Sequence, residues 1–383
     1  MKKPVFIHYI SSVSALGSNK SEVWQSYKNA NSGFKTENFN DTKVKVSALS
    51  DKDNKVIENI RAEGKLYKSL DKSTLMAIFV GRKLFENITA TQSPVGINIG
   101  SSRGATQTFE KAHLSYLKHK KVPLMTSPTT TLGNIATSVA QDLGLKGPAV
   151  SHSITCSSAL HALLNASAFL QSGLLSEFII GGSEAPLTGF TIAQMQTLKL
   201  YSKQLNHLPC HSLDFKKNDN TLVLGEAACL AKLSTKPKEN AIKVSGVGYA
   251  TESISHSVAL SSEADCLQES MQMALNLAQV QSVDVVVMHA PGTVKGDKSE
   301  LKAIQKTFAI LPALTTNKWQ IGHTFGASGA MSLEMAVLML ENNTFIQNPF
   351  YKNDKVPQQI NSVMINAVGF GGNAVSVVLE KFQ

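Results

Sequence analysis

Residues 152–166 read HSITCSSALHALLNA, with one cysteine among small residues where an apolar helical pattern begins. A helix start leaves backbone N–H groups unpaired and carries partial positive charge, so Cys156 is expected to form a thiolate more readily than a free thiol. That makes it a candidate nucleophile. The same window also reads as a packed core position, because unpaired cysteines are among the most buried side chains. Histidines elsewhere in the chain must decide between the two.

On either side of this window, short β-branched runs alternate with small-residue helical stretches. Upstream lie PVFIHYI (4–10), PVGINIG (94–100), NIATSVAQDLGL (134–145) and AVSHSIT (149–155), and FIIGG (178–182) follows the cysteine helix. The rhythm returns with AIKVSGVGYA (241–250), VDVVVMHA (283–290), SELKAIQKTFAI (299–310), TFGASGAMSLEMAVLMLEN (324–342) and SVVLE (376–380). The alternation predicts an α/β protein with largely parallel, buried strands. The lysine-bearing stretch STKPKEN (234–240) marks a boundary between halves at 1–236 and 237–383. The halves echo each other: TCSSALHALLNASAFL (155–170) and GHTFGASGAMSLEMAVLML (322–340) each run from a reactive residue through small residues into an apolar helix. Small residues allow close helix packing, which accounts for the pattern by itself. Alternatively, two similar halves would set both helix starts on one shared pocket.

The composition bounds the function. Hydrophobic residues make up 43% and charged residues 17%, the balance of a folded globular chain of 383 residues. No run of eighteen apolar residues suggests a membrane span, and His8 and the serines after it interrupt the opening apolar run before a signal core forms. The expectation is a soluble, cytoplasmic protein. Four cysteines, Cys156, Cys210, Cys229 and Cys266, have neither C-x-x-C spacing nor the density of a disulfide scaffold, and read as reduced thiols. The net charge of +9 favours an acidic protein partner over nucleic acid, since no nucleic-acid module accompanies the dispersed lysines.

Three further segments carry chemistry. In VDVVVMHAPGTVKGDKSELKAI (283–304) a buried strand runs into His289, at the carboxyl end where open α/β sheets bind ligands. TTNKWQIGHTFGASGA (315–330) supplies Lys318 and His323. INAVGFGGNAVSVVLE (365–380) sets Phe370 in a glycine turn whose backbone could aim N–H groups at an oxyanion.

The order Cys, His, Lys, His, Gly-Phe-Gly-Gly resembles the β-ketoacyl-acyl carrier protein synthases of the thiolase-like superfamily. The likeness extends over most of the chain, through Asn134, GLKGP (144–148), LDF (213–215) and VLGEAACLAKL (223–233). It implies a thiolase-like fold of two similar α/β halves in a layered αβαβα arrangement. Cys156 matches the family's acyl-accepting cysteine, and His289 and His323 match its two histidines. Lys318 lies five positions before the second, Glu300 matches the acidic residue on the helix after the first, and Phe370 matches the gate. Thr293 falls on the second threonine of the H-G-T-x-T signature, a contact for the substrate arm. The signature itself departs: Ala290 replaces Gly, Pro291 replaces the first Thr, Asn373 stands where Thr is usual, and SLDF stands for RPFD.

The resemblance implies decarboxylative Claisen condensation of an acyl-Cys156 with a malonyl group on a carrier protein, in fatty acid or polyene and polyketide chain elongation. His289 and His323 would hold the enolate oxygen, the N–H groups of Cys156 and Phe370 the tetrahedral oxyanion, and Lys318 and Glu300 would fix the second histidine. It implies no metal and no cofactor of the chain's own, because phosphopantetheine is carried by the acidic acyl carrier protein. A homodimer, or a heterodimer with a paralogous ketosynthase or chain-length factor, is expected. Two alternatives stand beside this reading. A non-catalytic chain-length factor usually lacks the active cysteine, and a coenzyme A-dependent thiolase carries a second late cysteine, whereas none follows Cys266.

Overall fold

A computed structural model of the chain describes residues 3–39, 41–86, 94–253 and 260–382. Among these residues the strands are β1 (Val5–Val13), β2 (Phe34–Phe39), β3 (Thr42–Ser47), β4 (Val95–Gly100), β5 (Ala149–His152) and β6 (Glu177–Glu184), followed by β7 (Ala227–Ser234), β8 (Ile242–Thr251), β9 (Val285–Val287), β10 (Ala313–Thr315), β11 (Ser362–Gly369) and β12 (Asn373–Lys381). The helices of the first half are α1 (Lys20–Lys28), α2 (Asp51–Ala62), α3 (Lys65–Lys68), α4 (Lys72–Phe85), α5 (Thr106–His119), α6 (Thr126–Thr130), α7 (Asn134–Asp142), α8 (Ser158–Ser172) and α9 (Gly189–Thr197). The second half adds α10 (Asp265–Ala278), α11 (Val294–Thr307), α12 (Lys318–Ile321) and α13 (Ser328–Asn342).

Ten strands join in the order β10-β9-β11-β12-β8-β1-β7-β6-β4-β5, while β2 and β3 form a separate hairpin. The expectation of a largely parallel sheet is corrected. Only the β4/β5, β4/β6, β9/β10 and β9/β11 ladders are parallel. The β1/β7, β1/β8, β6/β7, β8/β12 and β11/β12 ladders are antiparallel. A continuous apolar run reports burial on both faces and says nothing of strand direction. The burial comes from helices layered on both sides, α4 and α7 against one outer face and α10 and α11 against the other, each around its own apolar cluster.

Between the two halves of the sheet lie α8 and α13, packed into one central core with β6, β7, β9 and β11. This is the five-layered αβαβα arrangement. Every residue of α13 from Ser328 to Leu340 is buried, so the helix needs no polar face. Its small first turn is required by proximity: a Cβ on Gly329 would stand 2.8 Å from Leu160 Cγ of α8, and one on Gly182 would stand 2.8 Å from Ala327 Cα. The small-residue runs of the two halves therefore serve close packing, and the same packing brings both helix starts to one cavity. Ser328 Oγ, at the head of α13, donates to the Cys156 carbonyl before α8 at 3.3 Å.

Candidate active site

The nucleophile candidate sits on a sharp elbow. Thr155 has φ of +46°, a left-handed conformation costly for a β-branched residue, and the chain then passes through Cys156 into α8. The elbow is held from the other half of the molecule. Gly369, at the end of β11, lies so near that a Cβ there would fall 1.8 Å from Thr155 Oγ1 and 3.1 Å from the Cys156 nitrogen. Thr155 Oγ1 donates to the Phe370 carbonyl at 3.3 Å. The glycine turn thus meets the elbow, and Phe370 is 37% exposed at its tip.

Cys156 is buried, and its Sγ lies 3.2 Å from Nε2 of His323. The His289 ring stands edge-on to His323 with centroids 5.2 Å apart. Three residues far apart in the sequence therefore converge. Burial holds both imidazoles well below their ordinary range, with Lys318 adding to the effect, so each is neutral at neutral pH and carries one N–H.

The expected effect of the helix start on Cys156 is corrected. Helix α8 begins at Ser158, two residues beyond the thiol, and burial pushes the thiol up to about 12. Glu184 adds to that rise, while Lys318 and Arg103 oppose it. In a water-poor pocket the lost hydration of a thiolate outweighs the partial charge of a helix end.

Glu300, on α11, accepts hydrogen bonds from the backbone nitrogens of His289 (2.8 Å) and Ala290 (2.7 Å), and from Asn366 at 3.3 Å. It therefore braces the loop of the first histidine, where the resemblance assigned it to the second. That grip also explains how Ala290 is tolerated with φ of +25° before a proline, a conformation that suits glycine. Burial raises Glu300 to about 7 and lowers Lys318 to about 8, the two charges partly offsetting one another. The Lys318 Nζ is buried and has no hydrogen-bond partner among the described residues. Thr293 caps α11, its Oγ1 accepting from the Gly296 nitrogen at 3.2 Å.

A cavity of about 380 Å³ opens onto these groups. Cys156, His289, His323 and Glu300 line it together with Pro291, Thr293, Asn220 and Lys295, and Met195, Leu200, Leu222, Leu260, Val368, Phe325 and Phe370 supply apolar surface. A sulfur nucleophile, two neutral imidazoles and an apolar slot suit the transfer of an acyl chain. Among the described residues no helix is long and apolar enough to cross a membrane.

Several residues of the site have little or no signature in the sequence. Glu184, raised to about 7 by burial, accepts from the nitrogens of Ser102 (2.6 Å) and Gly326 (3.0 Å) and joins two loops behind Cys156. Its only signal was an acid closing the buried run FIIGGSE. Phe325, with φ of +42°, packs edge-on against His323 at 5.5 Å. Asp297 is buried in an ion pair with Lys217 at 2.7 Å and accepts from the Gly292 nitrogen at 3.0 Å, so it anchors the loop after His289.

The family model Beta-ketoacyl synthase, N-terminal domain, matches residues 2–238, and Beta-ketoacyl synthase, C-terminal domain, matches residues 242–351. A curated relative, 3-oxoacyl-[acyl-carrier-protein] synthase 2 of Staphylococcus aureus (strain COL), is 26% identical over 413 residues, covering 100% of this chain and 99% of the relative. The fold matches the solved ishigamide ketosynthase/chain length factor with a TM-score of 0.84 at 17% identity, covering 100% of both chains. It also matches a ketosynthase in complex with its chain length factor from Xenorhabdus doucetiae, with a TM-score of 0.84 at 20% identity, over 99% of this chain and 98% of that one. With both family models matched in order along the sequence, the chain belongs to the beta-ketoacyl synthase family.

Proposed function

We propose that the protein elongates acyl chains by decarboxylative condensation on an acyl carrier protein, with Cys156 as the acyl-accepting nucleophile. The observation that carries this reading is the 3.2 Å contact between Cys156 Sγ and His323 Nε2, with the His289 ring packed against His323 at the head of an apolar cavity. The incoming acyl thioester is delivered on the phosphopantetheine arm of the carrier. The Cys156 sulfur bonds to the acyl carbon as its proton passes to His323, and the carbon–sulfur bond to the arm breaks, the arm leaving as a thiol that takes up that proton.

Malonyl thioester enters next. Loss of carbon dioxide leaves its electron pair on an enolate, whose oxygen receives hydrogen bonds from the neutral imidazoles of His289 and His323. The carbon nucleophile attacks the acyl group on Cys156 and the sulfur departs, leaving a β-ketoacyl thioester on the carrier. The backbone nitrogens of Cys156 and Phe370 would receive the tetrahedral oxyanion, a reading supported by the close approach of Gly369, the residue before Phe370, to the Cys156 nitrogen. Thr293 and Lys295 on the cavity wall lie along the path of the arm, where Pro291 offers no hydroxyl. The +9 charge steers an acidic carrier toward the protein. Ketosynthase/chain length factor pairs among the structural neighbours support a paired assembly for this chain too.

Intact-mass spectrometry tests the reading. Incubation with acyl carrier proteins bearing chains of several lengths should add one acyl mass to the wild type and none to Cys156→Ala. A wild type that takes up no acyl group from any donor would turn the reading toward a non-catalytic partner of another synthase.

A further inference from the structure

Arg103 lies in the loop between β4 and α5, behind the candidate site, and its charge has no carboxylate to meet it. Its Nη1 donates to Gln194 Oε1 of α9 at 2.8 Å, and its guanidinium carbon lies 5.2 Å from the centre of the Phe325 ring. Glu184 accepts only the Arg103 backbone N–H, at 3.2 Å. No ion pair involves Arg103 among the described residues. From this cation a line of contacts runs to the nucleophile. Phe325 packs edge-on against His323, and His323 Nε2 contacts Cys156 Sγ.

The charged and titratable groups around Cys156 are His289, His323, Glu300 and Lys295, which line the same cavity, with Lys318 on α12, Glu184 at the end of β6 and Arg103 beyond them. Both imidazoles are neutral, Glu184 disfavours a thiolate, and the charge of Lys318 is shared with Glu300 and weakened by burial. The Phe325 ring carries no charge, so stacking on its face leaves the guanidinium without a counter-ion.

We infer that Arg103 is a positioning residue of the acyl-transfer site: its guanidinium clamps Phe325 against His323, the histidine in contact with Cys156, and sets a cation behind that contact. The inference rests on Cys156 being the nucleophile and names a cation that packs on the residue beside its histidine partner. It requires no particular acyl substrate. For that reason the test uses a small alkylating reagent in place of a carrier protein.

Wild type, R103M, R103Q and R103K are treated with iodoacetamide between pH 6 and 9.5, and adduct formation is followed by intact mass, with Cys156→Ala giving the background. R103M and R103Q should react about fivefold more slowly at each pH, a displacement of roughly 0.7 unit toward higher pH. R103K, which keeps the charge, should stay within about twofold of wild type by the same relation. R103Q retains a donor toward Gln194 and serves if R103M does not fold. Neutral variants that alkylate like wild type, or an R103K as slow as R103M, would overturn the inference while Cys156 remains the nucleophile. A wild type that is not alkylated at Cys156 would overturn both.

Discussion

The sulfur of Cys156 and Nε2 of His323 stand 3.2 Å apart although 167 residues separate them, each at the head of one of two central helices. His289 does not share that contact. Its ring faces His323, and its backbone is held by Glu300. The two histidines should therefore separate kinetically. His289→Ala is expected to accept acyl groups within about threefold of wild type while condensation falls about 10²- to 10³-fold, the usual loss when one donor to a developing oxyanion is removed. His323→Ala should slow both half-reactions, since in the proposed mechanism it also takes the thiol proton. Intact mass reads acylation, and carbon dioxide release from malonyl carrier protein reads condensation.

The contact between halves at the elbow is equally specific. A methyl group on Gly369 would overlap Thr155 Oγ1 at 1.8 Å and crowd the Ile154 carbonyl at 3.0 Å. Gly369→Ala should push the turn away from Cys156, lowering stability by about 1–3 kcal/mol and slowing acylation at least tenfold. Removing the struck hydroxyl offers relief. Gly369→Ala combined with Thr155→Ala should recover part of both losses, and a double-mutant cycle measures the coupling. Strict additivity would show that the two residues do not meet.

Glu334, on α13, is buried, and Ser12 Oγ of β1 donates to its Oε1 at 2.5 Å. Burial raises its carboxyl from 4.5 to about 7. The folded state therefore binds this proton more tightly than the unfolded chain. Its contribution to stability is complete below about pH 4.5 and is lost as pH rises through about 7. Glu334→Gln keeps an acceptor for Ser12 without the ionisation. It should match wild type near pH 4.5 and exceed it at pH 8 by on the order of 1–3 kcal/mol. Urea melts at the two pH values check the sign.

Much of this arrangement was readable before any coordinates. Cys156, His289 and His323 stood at the ends of apolar runs, where a sheet protein presents its chemistry, and their order along the chain supported one another. Strand direction was not readable, because VVV and FIIGG look alike in either sense once both faces are covered. The brace of Glu300 was assigned to the wrong histidine for a related reason. Its helix folds back over the strand end that precedes it, and no spacing rule shows which loop a buried carboxylate will grip. Arg103 and Phe325 carry no local signal, and Glu184 only that of an acid closing a buried run, since their roles arise from contacts between the loop after β4, the end of β6 and the turn before α13.

The Lys217–Asp297 pair shows what such a long-range contact is worth. Both side chains are buried, 2.7 Å apart, and Asp297 also accepts from the nitrogens of Leu213 at 3.2 Å and Gly292 at 3.0 Å. Burial keeps the Asp297 carboxyl above its usual range even against the nearby ammonium. Lys217→Met removes the cation and leaves the carboxylate buried with two backbone donors, at an expected loss of about 3–5 kcal/mol. Replacing both, with Lys217→Met and Asp297→Leu, discards the unmet charge but frees the Gly292 nitrogen and the loop that leads from His289. Such a double variant should regain stability over the single one yet condense more slowly than wild type. Denaturant titration and a condensation assay on the same preparations distinguish the structural cost of the charge from the catalytic cost of the loop; a double variant no more stable than Lys217→Met would show that the backbone bonds, not the ion pair, carry the energy.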